Sequence, residues 1–165
     1  MTDQQDNRRE LRKFTEFWDL LRREIGEGDA IVRTLVDRVS QELTGIIQNR
    51  VQQENRGSSG ATLESIKPYN PTYAQKKAER TGDTSINLTV SGDMFSAFTS
   101  DVSSSDNKHV ATLFFDDSVS RNAAAKAAGN EALRPLIAPT DEELDWVVNE
   151  IVLGISRAIE SSDFD

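Results

Sequence analysis

Residues 66–102 read IKPYNPTYAQKKAERTGDTSINLTVSGDMFSAFTSDV, and the order of residue types in this stretch decides the fold. Pro68 and Pro71 bracket Tyr69-Asn70. Each proline lacks an N–H donor and pushes its predecessor toward extended geometry, so Lys67 to Pro71 cannot be helix interior. Pro71 can open a helix with Asn70 as its N-cap, and Thr72-Tyr73-Ala74-Gln75-Lys76-Lys77 then reads as a short basic helix. Thr81-Gly82-Asp83 is a turn signal. Beyond it, Ser85-Ile86-Asn87-Leu88-Thr89-Val90 alternates polar and apolar residues as a strand does. Ser91-Gly92-Asp93 stops that strand. Met94, Phe95 and Phe98 then put an apolar patch on a short helix capped by Ser91.

Downstream, Phe98 to Ser103 and His109 to Asp116 read as two strands joined by the polar turn Ser104–Lys108. Val110, Thr112 and Phe114 point one way and Ala111, Leu113 and Phe115 the other. Both sets are largely apolar, which predicts a central strand covered on both faces. Ser118 to Ala128 has high helix propensity but little bulk, so it packs closely or lies exposed, and Gly129-Asn130 ends it. After Pro139, Thr140-Asp141-Glu142-Glu143 forms a capping box with its acids in the first turn, where the helix dipole favours them. Leu144, Val147, Val148, Ile151, Val152, Ile155 and Ile159 continue as one apolar stripe.

Upstream, Ile31, Val32, Leu35, Val36, Val39, Leu43, Ile46, Ile47 and Val51 hold one helical stripe over more than five turns. A coiled coil is disfavoured by the run's length and its mixed flanks, so this is the main helix lying on a sheet. Gly45 either weakens it by about 1 kcal/mol relative to alanine or lets another backbone approach. Arg56 to Gly60, RGSSG, reads as a flexible break before the proline loop. Residues 1–28 form an N-terminal extension. Met1 to Asn7 is polar and reads as disordered. From Arg8 to Ile25 the residues Leu11, Phe14, Phe17, Trp18, Leu21 and Ile25 recur at helical steps, opposite a charged face. That aromatic stripe reads as a packed helix rather than a membrane anchor, set on its own fold or on a neighbouring subunit. Gly26-Glu27-Gly28 ends it. The main unit covers residues 29–160, and 161–165 form an acidic tail.

The 165 residues suit one domain with an appendage. Hydrophobic residues make up 36% of the chain and mean hydropathy is −0.54, a lean core of the kind completed against neighbours. Twenty-eight acids against 19 Lys and Arg give a net charge of −9, which argues against a nucleic-acid-binding domain. An acidic surface suits a conduit through which DNA slides, and equally suits solubility alone. With no cysteine, disulfides and thiolate metal sites are excluded. No apolar run is long enough to span a bilayer, and MTDQQDNRRE has no signal-peptide apolar region, so a cytoplasmic origin is expected.

Catalytic chemistry is sparse. His109 is the only histidine and falls in the predicted hairpin, and no G-x-S-x-G elbow, Walker loop or H-E-x-x-H occurs. Asp116-Asp117 and Asp141-Glu142-Glu143 could hold a hard cation, but they more simply end a strand and cap a helix, and calcium-loop spacing is missing. No catalytic residue, metal or cofactor is therefore expected. Lys76, Lys77 and Arg80 form a basic patch beside Tyr69 and Tyr73. Phosphate contact is conceivable there, but a salt bridge to an acidic neighbouring subunit suits this chain better.

These features resemble one family, the tail-completion proteins of tailed bacteriophages, also described as virion morphogenesis, neck or minor tail proteins. The matching residues are Pro68, Tyr69, Pro71, Tyr73, Ala74, Lys76, Lys77, Leu88, Ser91, Gly92, Met94 and Ser96. Ala128-Gly129, then Arg134-Pro135-Leu136 and the acid-capped terminal helix, continue the match. It covers roughly the last two-thirds of the chain, on short motifs. In Ser118–Ala128 the family usually places tyrosine, histidine or glutamate, and this chain has alanines instead.

From the residues alone the expected fold is α+β. A small, mostly antiparallel sheet (Ile86–Val90, Phe98–Ser103, Val110–Phe115) is packed by two long amphipathic helices, with a further helix at the N-terminus. The resemblance implies a non-enzymatic ring, commonly of six subunits, at the head–tail junction of a virion assembled in the host cytoplasm. Its partners would be copies of itself, the portal-adaptor side and the tail-tube proteins, with DNA passing through the channel and no membrane contact. The loop Gly57–Asn70 would face the adjoining ring. Expected interface residues are Tyr69, Tyr73, Lys76, Lys77, Arg134 and Leu136, with Phe14 and Trp18 of the N-terminal helix. For Tyr69 and Tyr73 local packing of the loop is an equal reading. The other function class is a soluble regulatory module that binds a partner through the N-terminal aromatic helix.

Overall fold

The structure is a computed structural model that describes residues 28–82, 93–105 and 108–161. Its elements, in chain order, are α1 (Gly28–Gln52), α2 (Leu63–Ile66), α3 (Pro71–Thr81), α4 (Asp93–Ser96), β1 (Phe98–Ser105), β2 (Lys108–Phe115), α5 (Ala123–Glu131) and α6 (Asp141–Ser161). The fold is α+β. The predicted N-terminal helix, the strand Ile86–Val90 and the tail 162–165 lie outside the described residues.

α1 forms where its stripe predicts, because Val39, Leu43, Ile47 and Val51 fall on one row at four-residue spacing. All four are at most 6% exposed. Leu43, Ile47 and Val51 meet Leu63, Met94, Phe95, Phe98, Ala127 and Leu136 in the core. α1 lies on the hairpin, and Ser40 Oγ donates to Ser100 Oγ at 3.0 Å across that contact. Gly45 has open space where a Cβ would stand, so no backbone approaches it. Gly45→Ala is therefore expected to stabilise the fold by about 0.5–1 kcal/mol, read as a higher urea midpoint at unchanged m-value.

β1 and β2 pair antiparallel in register from Phe98↔Phe115 to Ser105↔Lys108. The predicted turn Ser104–Lys108 is thus shorter. Ser104, Ser105 and Lys108 belong to the ladder, and residues 106–107 lie outside the described residues. The expectation that β2 is covered on both faces is corrected. Its burial alternates strictly, with Val110 48% and Phe114 39% exposed. Among the described residues the sheet has two strands, and α1 covers one side of it. Apolar residues on both faces did not specify burial on both faces.

The alanine-rich helix also differs. It begins at Ala123, not Ser118, and contains Gly129 and Asn130. Local side-chain bonds compete with helix in the first five positions. Ser118 N–H donates to Asp116 Oδ1 at 2.8 Å, and Asp117 Oδ1 reaches forward to take the Ala124 N–H at 2.9 Å. Asn122 turns the chain at φ +61°. The Ser118 hydrogen bonds hold the Asp116 carboxyl below its ordinary value. That contribution is present above the ordinary Asp pKa and fades as pH falls through the lowered folded value.

α6 starts with the predicted capping box: Thr140 N–H donates to Glu143 Oε2 at 2.8 Å and Glu143 N–H to Thr140 Oγ1 at 3.2 Å. It packs along α1 rather than on the sheet, which corrects the expected layering. Gly154 suits this close packing, since a Cβ there would run into the Leu35 side chain. The apolar stripe of α6 is split. Ile155 is buried and Val147 and Ile151 half-buried, while Leu144, Val148 and Val152 stay open to solvent.

RGSSG is an ordered turn. Gly60 N–H donates to Gly57 O, Gly57 N–H to Ala61 O, and Ser58 N–H to Pro135 O, each at 2.9 Å. Gly57 is buried where a Cβ would meet Ile66 Cδ1 and the Pro135 carbonyl oxygen, both at 2.8 Å. The carbonyl cannot rotate away, so Gly57→Ala is expected to cost about 1–3 kcal/mol, measured by thermal or urea unfolding.

Candidate functional site

Asn70 and Pro71 build the site's entrance as their chemistry requires. Asn70 Oδ1 accepts the Thr72 N–H at 3.0 Å, Pro71 takes the first helical position, and Gly82 ends α3 in the left-handed conformation. This sets Tyr73 one turn above Lys77, and the preceding loop folds Tyr69 back toward both.

Tyr69 is the centre. Its ring meets Tyr73 edge-on with centroids 4.8 Å apart. Lys77 Nζ lies 5.8 Å and Arg134 Cζ 5.2 Å from its centroid, so two cations sit over one aromatic ring. Lys77 is 1% and Arg134 3% exposed. Arg134 Nε also donates to Lys67 O at 2.7 Å, which ties the proline loop to the segment before α6. Glu131 fixes that segment by accepting the Leu136 and Ile137 N–H groups at 2.7 and 3.2 Å.

The result is an open cleft of about 370 Å³ lined by Lys67, Pro68, Tyr69, Asn70, Tyr73, Asn130, Leu133 and Arg134. No carboxylate lines it, on a chain with nine more acids than bases. Amide and cationic donors beside tyrosine rings suit an acidic or aromatic segment of a protein partner.

The structure thus brings together Tyr69, Tyr73, Lys77 and Arg134 of the expected residues. Tyr73 is 44% exposed and Lys76 is on the surface, whereas Lys77 and Arg134 support Tyr69 from below. Leu136 belongs to the core at 1% exposure. Phe14 and Trp18 lie outside the described residues. Asn130 and Leu133, which the sequence reading did not single out, complete the wall.

A second cleft, of about 520 Å³, opens between α1 and the start of α6, and four carboxylates (Glu42, Glu54, Glu142, Glu143) line it with Arg50 and Arg56. Beneath it Arg50 is 6% exposed. Its Nε lies 3.1 Å from Glu143 Oε1, a charge contact without hydrogen-bond alignment, and its Nη2 donates to Leu136 O at 2.8 Å and Ala138 O at 3.3 Å. Burial pushes the guanidinium pKa down, opposed by Glu143, Glu54 and Glu131. The acids outnumber the bases in this lining, so it attracts cationic groups.

His109 joins the hairpin to α1. Its Nδ1 is 2.8 Å from Ser104 Oγ and its Nε2 2.9 Å from Asp29 Oδ1. A neutral ring carrying its proton on Nε2 satisfies both partners. Neither cleft is lined by these three residues, which place the hairpin tip against the start of α1. Among the described residues no group of three or more His, Asp or Glu is placed to hold a metal ion, and no helix is long and apolar enough to cross a membrane.

Comparison with protein-family models, with curated proteins and with solved structures found no match.

Proposed function

We propose that this chain is a structural subunit of the head–tail connector of a tailed bacteriophage, a tail-completion protein that assembles into a ring. The observation that carries this reading is the carboxylate-free tyrosine cleft on an otherwise acidic chain. It is built by the same Pro68–Lys77 and Arg134 residues that resemble the family.

Two further features support assembly with copies of itself. The tyrosine cleft and the exposed Lys76 and Arg80 of α3 are complementary in charge to the second, acid-lined cleft. A contact between two different patches of identical subunits is head-to-tail, the kind of contact that forms a ring when the rotation between subunits closes. Val110 and Phe114 add exposed apolar surface on the open face of the hairpin. The mechanism is geometric and needs no catalysis: subunits bury these patches against neighbours, and the acidic exterior lets DNA pass without adhering.

The test is cryo-electron microscopy of virions in which the protein carries a small tag. Added density at the head–tail junction supports the reading and gives the ring's symmetry. Absence of the protein from purified virions overturns it.

A further inference from the structure

α6 keeps one flank open to solvent. Leu144, Val148 and Val152 follow one another at four-residue spacing, are 47%, 59% and 47% exposed, and span about 12 Å of the helix. The neighbouring row, Asp141, Asp145, Asn149, Leu153 and Arg157, is exposed throughout. An apolar ridge thus lies beside a ridge that is acidic in its first half. Two other acids of α6 face cations within the fold, Glu143 at 3.1 Å from Arg50 and Glu150 at 3.8 Å from Arg38. Asp141 and Asp145 belong to neither pair and stand in solvent beside the apolar ridge.

We propose that this flank docks a cationic amphipathic helix of a partner protein, with apolar residues at four-residue spacing and Lys or Arg in its last turns. A helix is the form that fits. Within α6 the backbone donors and acceptors are spent along its own axis, so an extended segment laid on it would leave its own backbone groups unpaired. A helix arrives with its backbone satisfied and packs a ridge into the groove between the two rows of α6.

Charge sets the partner's sign and direction. Asp141 and Asp145 attract cations at the start of α6, whereas Arg157 opposes them near its end. Lys and Arg are best accommodated in the last turns of a helix, where its dipole favours them. The partner helix therefore runs antiparallel to α6, with its last turns beside Asp141 and Asp145. A second copy of α6 suits the flank poorly. Its exposed charges are Asp141, Glu142, Asp145 and Glu160 against Arg157 alone, so a self-pair in either direction brings together more acids than it neutralises. An anionic membrane surface is repelled by the same acids. A contact one helix wide falls below the ~1,200 Å² of stable complexes, so it is weak and reversible. This inference is independent of the neck reading.

The test is a nuclear magnetic resonance titration of the full chain with a synthetic helical peptide that has leucines at three- and four-residue spacing and lysines in its last two turns. The methyl resonances of Leu144, Val148 and Val152 are expected to shift. Val148→Ser with Val152→Ser should weaken binding by about tenfold, through the lost apolar contact. Asp141→Asn with Asp145→Asn should weaken it several-fold and flatten its salt dependence. A peptide with glutamates in place of the lysines should bind more weakly than either variant binds the lysine peptide. All four substituted residues are exposed, so the variants should keep the far-UV circular dichroism of the parent. No binding of the lysine peptide, equal binding of the two peptides, or binding that the two serines leave unchanged would overturn the proposal. So would a concentration-dependent dimer, or co-sedimentation with phosphatidylglycerol vesicles, that the two serines abolish, since the flank would then belong to a second copy or to lipid.

Discussion

Glu143→Ala is expected to lower stability by about 3–5 kcal/mol, because it leaves the buried Arg50 guanidinium without its counter-charge. The two side chains are 7% and 9% exposed, so little water is available to replace the lost carboxylate. Arg50 already bears a desolvation cost, seen in its lowered pKa, and Glu143 is the strongest of the groups offsetting it. The same carboxylate closes the α6 capping box through Thr140 N–H. Loss of a cap of that kind adds about 1 kcal/mol. Two companion variants separate the terms. Glu143→Gln keeps an acceptor for Thr140 but removes the charge, so it should recover the capping part alone. Arg50→Met with Glu143→Ala removes both charges and should be much less harmful than Glu143→Ala by itself, since the orphaned cation is gone. Urea unfolding of these variants, of Arg50→Met alone and of the parent protein checks this. Additive losses in the double variant would show that the pair is not coupled.

How much of this was legible in the sequence follows from the range of each signal. α1, α3 and α6 were legible at their cores and starts, because Asn70-Pro71 and Thr140-x-x-Glu143 are local devices that work within one turn. The hairpin was legible in its strands, from the polar turn that separates them. Its one-sided burial was not, because Val110 and Phe114 carry the same apolar signal whether or not another layer covers them. α5 was misplaced because Asp117 spends its carboxylate seven residues downstream on Ala124, a bond no propensity records. The buried cations were hidden for the same reason. Arg50 does sit three residues after Ile47 on the inward face of α1, and a guanidinium in an apolar stripe signals a buried partner, but nothing local names Glu143. At the tyrosine cleft, Tyr69, Tyr73 and Lys77 were recognisable as a cluster. Arg134, 65 positions after Tyr69 in the numbering, joins them only through the tertiary fold.

Phe95→Ala is the second large effect, at about 3–5 kcal/mol for a buried aromatic truncated to a methyl group. Phe95 is 2% exposed and meets Phe98 and Phe115 edge-on at 6.2 and 5.9 Å, while those two stack at 4.8 Å. Phe95 lies in α4, a helix of four residues too short to hold itself, so its position depends on this cluster. Removing the ring opens a cavity at the junction of α1, the hairpin and α5, and thermal unfolding is expected to shift down by roughly 10 °C. Phe114→Ser supplies the contrast. It changes an aromatic on the same strand, one residue from Phe115 but on the open face of the hairpin, and should alter stability by less than about 0.5 kcal/mol. If the exposed face serves assembly, Phe114→Ser yields a well-folded protein that fails to enter virions. Phe95→Ala fails there only in proportion to its lost stability, and regains only the part, about 0.5–1 kcal/mol, that a Gly45→Ala background restores. An assembly defect in Phe114→Ser that Gly45→Ala also repaired would mean that the face contributes to the fold and not to a neighbour.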